Sequence, residues 1–235
     1  MSFLTGQWRR LIMVNYAIDP QILQPYVPPG TELDLWQGTC YVSLVGFLFK
    51  DTKLLGIPIP FYRNFEEVNL RFYVRYNDQG EWKRGVTFLS EIVPKHMLTF
   101  VANTVYNEHY STKPMRHDWS SDGEEMRTRY QWKHAGSWMS VSVKTDVISQ
   151  AITPGSEAEF ITEHYWGYTP DGKGRSYEYE VRHPVWEVYP IQSFKVDADF
   201  GALYGPDFAF LNQARPTSVF LAEGSEISVE GKRRV

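Results

Sequence analysis

The chain has 235 residues, with 24 Lys and Arg against 28 Asp and Glu, so it carries a net charge of −4. That balance speaks against nucleic-acid binding, which needs a basic surface, and a single cysteine, Cys40, rules out an internal disulfide scaffold. With 43% hydrophobic and 22% charged residues the chain can bury a core, and its 8 Trp, 15 Tyr and 14 Phe favour strands and pocket walls.

Taken in chain order, the pattern reads mainly as strands. Arg9 to Tyr16 is β-rich. Asp19-Pro20 then supplies an N-cap with proline at the first helical position. Ile22, Leu23 and Tyr26 give a short helix one apolar face, and Pro28-Pro29-Gly30 stops it. Glu32–Trp36 and Cys40–Phe49 are expected to form a hairpin around Gln37-Gly38. A proline-rich loop, Gly56 to Pro60, follows. From Glu67 the alternation is clear: Val68, Leu70, Phe72, Val74 and Tyr76 share one face, and Glu67, Asn69, Arg71, Tyr73 and Arg75 the other. Asn77 to Gly80 is a turn, and Glu81–Ile92 is the returning strand.

Helical spacing of Met97, Val101 and Val105 predicts a helix from Pro94 to about Asn107. Two hairpins come next: Arg127–His134 with Trp138–Val147, and Glu159–Thr169 with Arg175–Val181. Strands are expected around Trp186 and Phe194, a short helix near Asp199–Tyr204, and a last strand near Ser218–Ala222. No repeat or linker breaks the composition, so residues 1–235 read as one domain, an antiparallel β barrel or strongly curved sheet with few helices. The longest apolar stretch, Tyr41 to Phe49, is far short of the roughly 20 residues of a membrane-spanning helix. The first residues show no signal-peptide core. A cytoplasmic protein without a membrane partner is the expectation.

Most chemical motifs are absent. There is no HExxH, no paired CxxC, no P-loop and no GxSxG elbow. The six histidines are dispersed, and no metal or cofactor is expected. Gly172-Lys173-Gly174 sits in a turn with no helix after it, unlike a dinucleotide loop. Cys40 lies within an apolar strand and reads as a core thiol.

Three groupings remain. The polar face Glu67, Asn69, Arg71 fits either a solvated strand surface or polar groups pointing into a barrel. Pro94-Lys95-His96 puts a lysine in the first turn of the expected helix, where the dipole disfavours a cation and His96 adds repulsion when protonated. Lys95 is therefore either an exposed lysine at a helix start or an amine prepared to form a Schiff base. In the third grouping, His164, Trp166 and Tyr168 share the face of Phe160 on the expected strand. They suit either a hydrogen-bonded core or a cavity wall that orients a ligand.

Four stretches, in order, carry a family likeness: TGQWRRLIMVNYAIDPQILQPYVPPGTELDLWQGTCYVSLVGFLF, IPIPFYRNFEEVNLRFYVR, EIVPKHMLTFVANTVYNEHY and TEHYWGY. They resemble the YqjF-like family of uncharacterised bacterial proteins, from about residue 3 to about residue 215. That resemblance implies the acetoacetate decarboxylase-like fold, a cone-like antiparallel β barrel around a buried pocket. A fainter likeness to the decarboxylase itself runs through Arg9, Leu11–Tyr16 and Asp19, then through Ile22–Leu33. Pro94-Lys95-His96 is similar to its Pro-Lys-Lys segment, which implies Lys95 as the Schiff-base nucleophile and His96 in place of the neighbouring lysine. The sequence departs from the decarboxylase at Val42-Ser43-Leu44-Val45, where an acid would be expected.

The combined expectation is a barrel with a pocket for a small carbonyl compound or carboxylate. If it is an enzyme, it is a lysine Schiff-base lyase. Lys95 would be the nucleophile, His96 its tuning neighbour and Glu67 either a general acid/base or the arginine's structural partner. Arg9 or Arg71 would clamp a carboxylate, and Asn69, His164, Trp166 and Tyr168 would complete the ligand-binding wall. The alternatives are a binding or sensing protein without catalysis, and an interaction protein whose barrel is filled by its own side chains.

Overall fold

The alternation that begins at Glu67 becomes a 14-residue strand because each of its faces meets a different environment. In the computed structural model, which describes residues 2–58, 60–95 and 110–235, the main strands are these. β1 is Leu4–Ala17, β2 Tyr41–Leu54, β3 Phe65–Asp78 and β4 Glu81–Val93. β5 is Met115–Ser121, β6 Glu125–His134 and β7 Ser137–Asp146. β8 is Trp166–Pro170, β9 Ser176–Arg182, β10 Ile191–Asp197 and β11 Ser218–Val229.

Seven of these strands close on themselves. The order runs β11-β1-β2-β3-β4-β8-β9, and β9 returns to β11 through Val181 opposite Val229 and Arg182 opposite Ser228. The pairs are antiparallel except β4 with β8. Closure leaves an inside and an outside, which a curved open sheet would not. The outside is covered by a second sheet, β10-β7-β6-β5. Tyr130, Trp132, Val141 and Val143 of that sheet share one core with Val68, Leu70, Phe72 and Val74 of β3. Gly46 permits the approach: a Cβ there would lie 3.1 Å from the Tyr130 ring and 3.2 Å from Val141.

One end of the barrel is plugged by the helix Glu157–Thr162, which buries Phe160 and Ile161 in the inner core. Beside it three strands are joined by buried polar side chains. Ser43 Oγ donates to Asn15 Oδ1 (2.7 Å) and bonds Tyr73 Oη (2.7 Å), and Asn15 Nδ2 donates to Ser218 Oγ (2.9 Å).

β1 changes course at Arg10, whose φ is +51°. The register shifts there, so Trp8 and Leu11, three residues apart, both line the interior. Tyr130 holds this bulge from the outer sheet by donating to the carbonyls of Arg9 (3.2 Å) and Arg10 (2.9 Å).

Two expected elements are corrected. Thr31–Leu33 pairs with β3, not with β2. Only the turn of the supposed hairpin survives, as a bridge between Trp36 and Thr39. Residues 157–162 are helical rather than extended, because Ser156 caps the helix by accepting from Glu159 N, and Glu159 reaches back to Gly155 N. Phe160 therefore does not share a strand face with His164, Trp166 and Tyr168. The helix expected from Pro94 to about Asn107 lies, from residue 96 onward, outside the described residues. No described helix is long and apolar enough to cross a membrane.

Candidate functional site

Because the outer core takes Val68 to Val74, the other face of β3 turns Glu67, Asn69, Arg71 and Tyr73 inward. β4 adds Phe88 and Glu91, which stand opposite Arg71 and Asn69. The strands enclose a cavity of about 190 Å³ whose wall includes these residues together with His164. A void lies beside Arg71 and His164, where a barrel filled by its own side chains would leave none.

The polar wall is buried. Glu67, Asn69 and Glu91 are only 3%, 2% and 2% exposed. Asn69 Nδ2 donates to Glu67 Oε1 (3.0 Å), and Tyr110 Oη donates to Glu67 Oε2 (3.5 Å). Asn69 Oδ1 has no hydrogen-bond partner among the described residues. Arg71 Nη2 donates to the Ile161 carbonyl (3.3 Å), while its buried Nε has no partner among them. No described carboxylate lies within ion-pair distance of this guanidinium, although its charge is felt at both His164 and His183. Buried polar atoms without partners are rare, and a bound ligand is one reason for them.

His164 lies in the connection between the helix and β8. Its Nε2 is 3.0 Å from Asp34 Oδ2, which also accepts from Arg84 Nε at 2.7 Å. Burial pushes the His164 imidazole down to about 4, and nearby Arg84 and Arg71 add to the effect against the pull of Asp34. For Asp34, burial works upward, but the bonds from His164 and Arg84 outweigh it and hold the carboxyl below its ordinary range. A neutral His164 facing a carboxylate carries its proton on Nε2. That leaves Nδ1 as a bare acceptor, and it has no partner among the described residues.

A family model, DUF2071, described as an uncharacterized conserved protein, matches residues 5–226. The chain belongs to that family. The DUF2071 chain is 26% identical over 183 residues to the uncharacterized protein YqjF of Bacillus subtilis, covering 76% of this chain and 72% of that one. Its fold is that of acetoacetate decarboxylase-like proteins. The acetoacetate decarboxylase of Legionella pneumophila superposes with a TM-score of 0.65 at 13% identity, covering 99% of this chain and 86% of the other. An acetoacetate decarboxylase-like enzyme from Sphingomonas wittichii gives 0.66 at 12% identity, covering 100% and 94%. The enduracididine biosynthesis enzyme MppR, complexed with pyruvate, gives 0.67 at 13% identity, covering 100% and 91%.

Of the residues singled out from the DUF2071 sequence, Glu67, Asn69, Arg71, His164 and Trp166 gather at the cavity wall. Arg9 and Tyr168 do not line it. Arg9 points to Gln7 and Glu223. Tyr168 turns into the outer core and donates to Glu178. The Trp166 ring itself lies under Lys83 Nζ, 4.3 Å away. Lys95 follows β4 at the rim rather than in the wall. It is half-buried, with Nζ 5.7 Å from the ring of Tyr62, a wall residue, and its charge acts on Glu66. His96 lies outside the described residues. The reading of the sequence missed Glu91, Asp34 and the aromatic wall of Trp8, Phe47 and Trp186.

Proposed function

We propose that the barrel cavity binds a small carboxylate that also carries a carbonyl group, and that Lys95 at its rim forms an imine with that carbonyl. The observation that carries this reading is Arg71, a guanidinium inside the cavity with no carboxylate of the described residues beside it. A planar cation of this kind suits bidentate recognition of a carboxylate. Asn69 and the bare Nδ1 of His164 supply acceptors for a hydroxyl or an enol.

In the covalent step the Lys95 amine adds to the carbonyl carbon, and proton transfers release water to leave an iminium. With a 3-keto acid, the electron pair of the carboxylate's C–C bond moves toward the iminium as CO₂ departs. Protonation of the enamine and addition of water return the ketone and the free amine. Glu67, held through Asn69, is the group suited to carry the proton.

A binding protein without covalent chemistry is the second reading. The position of Lys95 outside the cavity wall favours it. The two separate on incubation with a panel of 2- and 3-keto acids, followed by borohydride reduction and peptide mass mapping. A reduced adduct on Lys95, lost in Lys95→Met, is the expected result. No adduct, with ligand still bound by folded Lys95→Met, would leave the binding reading alone.

A further inference from the structure

The cavity has two chemically different walls. The polar one comes from β3, β4 and the His164 connection. Facing it are Trp8 and Leu11 of β1, Phe47 and Phe49 of β2, and Trp186. Their rings touch in sequence. Trp8 meets Phe47 edge-on at 5.4 Å, Phe49 at 5.9 Å and Trp186 at 6.2 Å. Phe49 stacks on Phe65 at 4.6 Å. His183 stacks on Trp186 at 4.2 Å, and burial pushes its imidazole down to about 4, so this wall carries no charge from it at neutral pH. Trp186 is fixed by a bond from Nε1 to Ser225 Oγ (2.9 Å), whereas Trp8 Nε1 is buried without a partner among the described residues.

Size narrows the choice of ligand. A bare two- or three-carbon keto acid would engage Arg71 and Asn69 but leave the aromatic wall uncovered. A cavity of about 150 Å³ accepts a benzene ring, and this one is about 190 Å³. It therefore has room for one ring and a short polar head. We infer that the ligand is an aryl-substituted carboxylate or keto acid, with its head at Arg71, Asn69 and His164 and its ring against Trp8, Phe47 and Trp186. A ligand ring can meet these side chains edge-on or offset-stacked, the two geometries that aromatic pairs prefer. This inference rests on the carboxylate reading above, and it adds the substituent that the rest of the cavity selects.

Calorimetric titration of the full chain with pyruvate, phenylpyruvate and toluene tests it. Phenylpyruvate is expected to bind at least about 10-fold more tightly than pyruvate, as burial of one ring requires. Trp8→Ala, with Phe47→Leu as a milder second variant, is expected to remove most of that preference. Arg71→Met is expected to weaken both acids alike. Equal affinities for the two acids, or a preference unchanged in both wall variants, would overturn the aryl assignment and leave the carboxylate reading standing. Binding of toluene with rejection of both acids would overturn the carboxylate reading instead. Binding of none of the three would overturn both.

Discussion

Asn69 and Glu91 face each other across β3 and β4 because one extra residue, Leu89, bulges out of the ladder between them and the turn. From Asp78 opposite Glu81 to Arg71 opposite Phe88 the pairing is regular. Beyond the bulge, Leu70 meets Ser90 and Asn69 meets Glu91. Phe88 and Glu91 thus both turn inward, although they are three residues apart. Deletion of Leu89 is expected to even out the ladder without turning Glu91 outward, because Leu70 still meets Ser90 and Asn69 still meets Glu91. The cost is then that of removing the Leu89 side chain from its packing on the outer core, about 2 kcal/mol. Urea unfolding checks this, and a loss far above that figure would show that the bulge itself is needed to seat Phe88 and Glu91 on the inner face.

Arg71 has no ion pair to lose within the described protein, so its replacement separates binding from stability. Arg71→Met is expected to keep or raise the melting temperature. Carboxylate affinity should fall by roughly 10- to 100-fold, the range for a charge-assisted hydrogen bond. Arg71→Lys is expected to recover little of it, because a lysine cannot reproduce the planar fork. Paired thermal melts and titrations check this. A variant that loses stability and affinity together would make Arg71 a structural residue.

Acid sensitivity follows from the two buried imidazoles. His164 and His183 are both held down to about 4 by burial, against an ordinary value of 6.5. Between these pH values the unfolded chain binds protons at both histidines and the folded chain does not. Stability is therefore expected to fall as pH drops from 6.5 to 4, by up to roughly 3 kcal/mol for His164. Asp34 and Glu66, whose carboxyls lie below their ordinary values of 3.8 and 4.5, begin to lose their contribution as pH falls through those values, at the acid end of this window and below it. His164→Gln keeps a donor for Asp34 and removes one titration, so about half of the slope should disappear. Denaturant titrations at pH 4.5, 5.5 and 6.5 measure it. An unchanged slope in that variant would show that His164 is not the group being protonated.

What the sequence made legible follows from which patterns are local. The alternation in β3 needs no partner to be read, and the resemblance supplied the barrel that turns its polar face inward. The hairpin of β6 and β7 is equally local, with a two-residue turn at Ala135-Gly136. Thr31–Leu33 misled because its partner lies some forty residues away in β3. The segment Glu157–Thr162 was open to a better reading. Ser156 followed by Glu159 is a capping-box spacing, and β-branched and aromatic neighbours disguised it as a strand. Glu91 was hidden by the Leu89 bulge, since even pairing from the turn would place Ser90 opposite Asn69. Asp34 was hidden because its partner His164 is 130 positions away.

The second bulge, at Arg10, depends on a glycine in the neighbouring strand. Gly224 of β11 stands opposite Arg9 with φ +80°, and a Cβ on it would lie 2.1 Å from the Trp8 carbonyl oxygen. Backbone, not a flexible side chain, is in the way, so the strain cannot be relieved by a rotamer change. Gly224→Ala is expected to destabilise by about 3 kcal/mol, combining the positive φ with the clash. Gly172→Ala is the control, because its φ is +73° but nothing lies within 4 Å of the added methyl. That change should cost only about 1 kcal/mol. Gly224→Ala should also displace Trp8 and so alter tryptophan fluorescence, whereas Gly172→Ala should not. Equal losses in the two variants would mean that the left-handed backbone, rather than the contact between β1 and β11, is what requires glycine at 224.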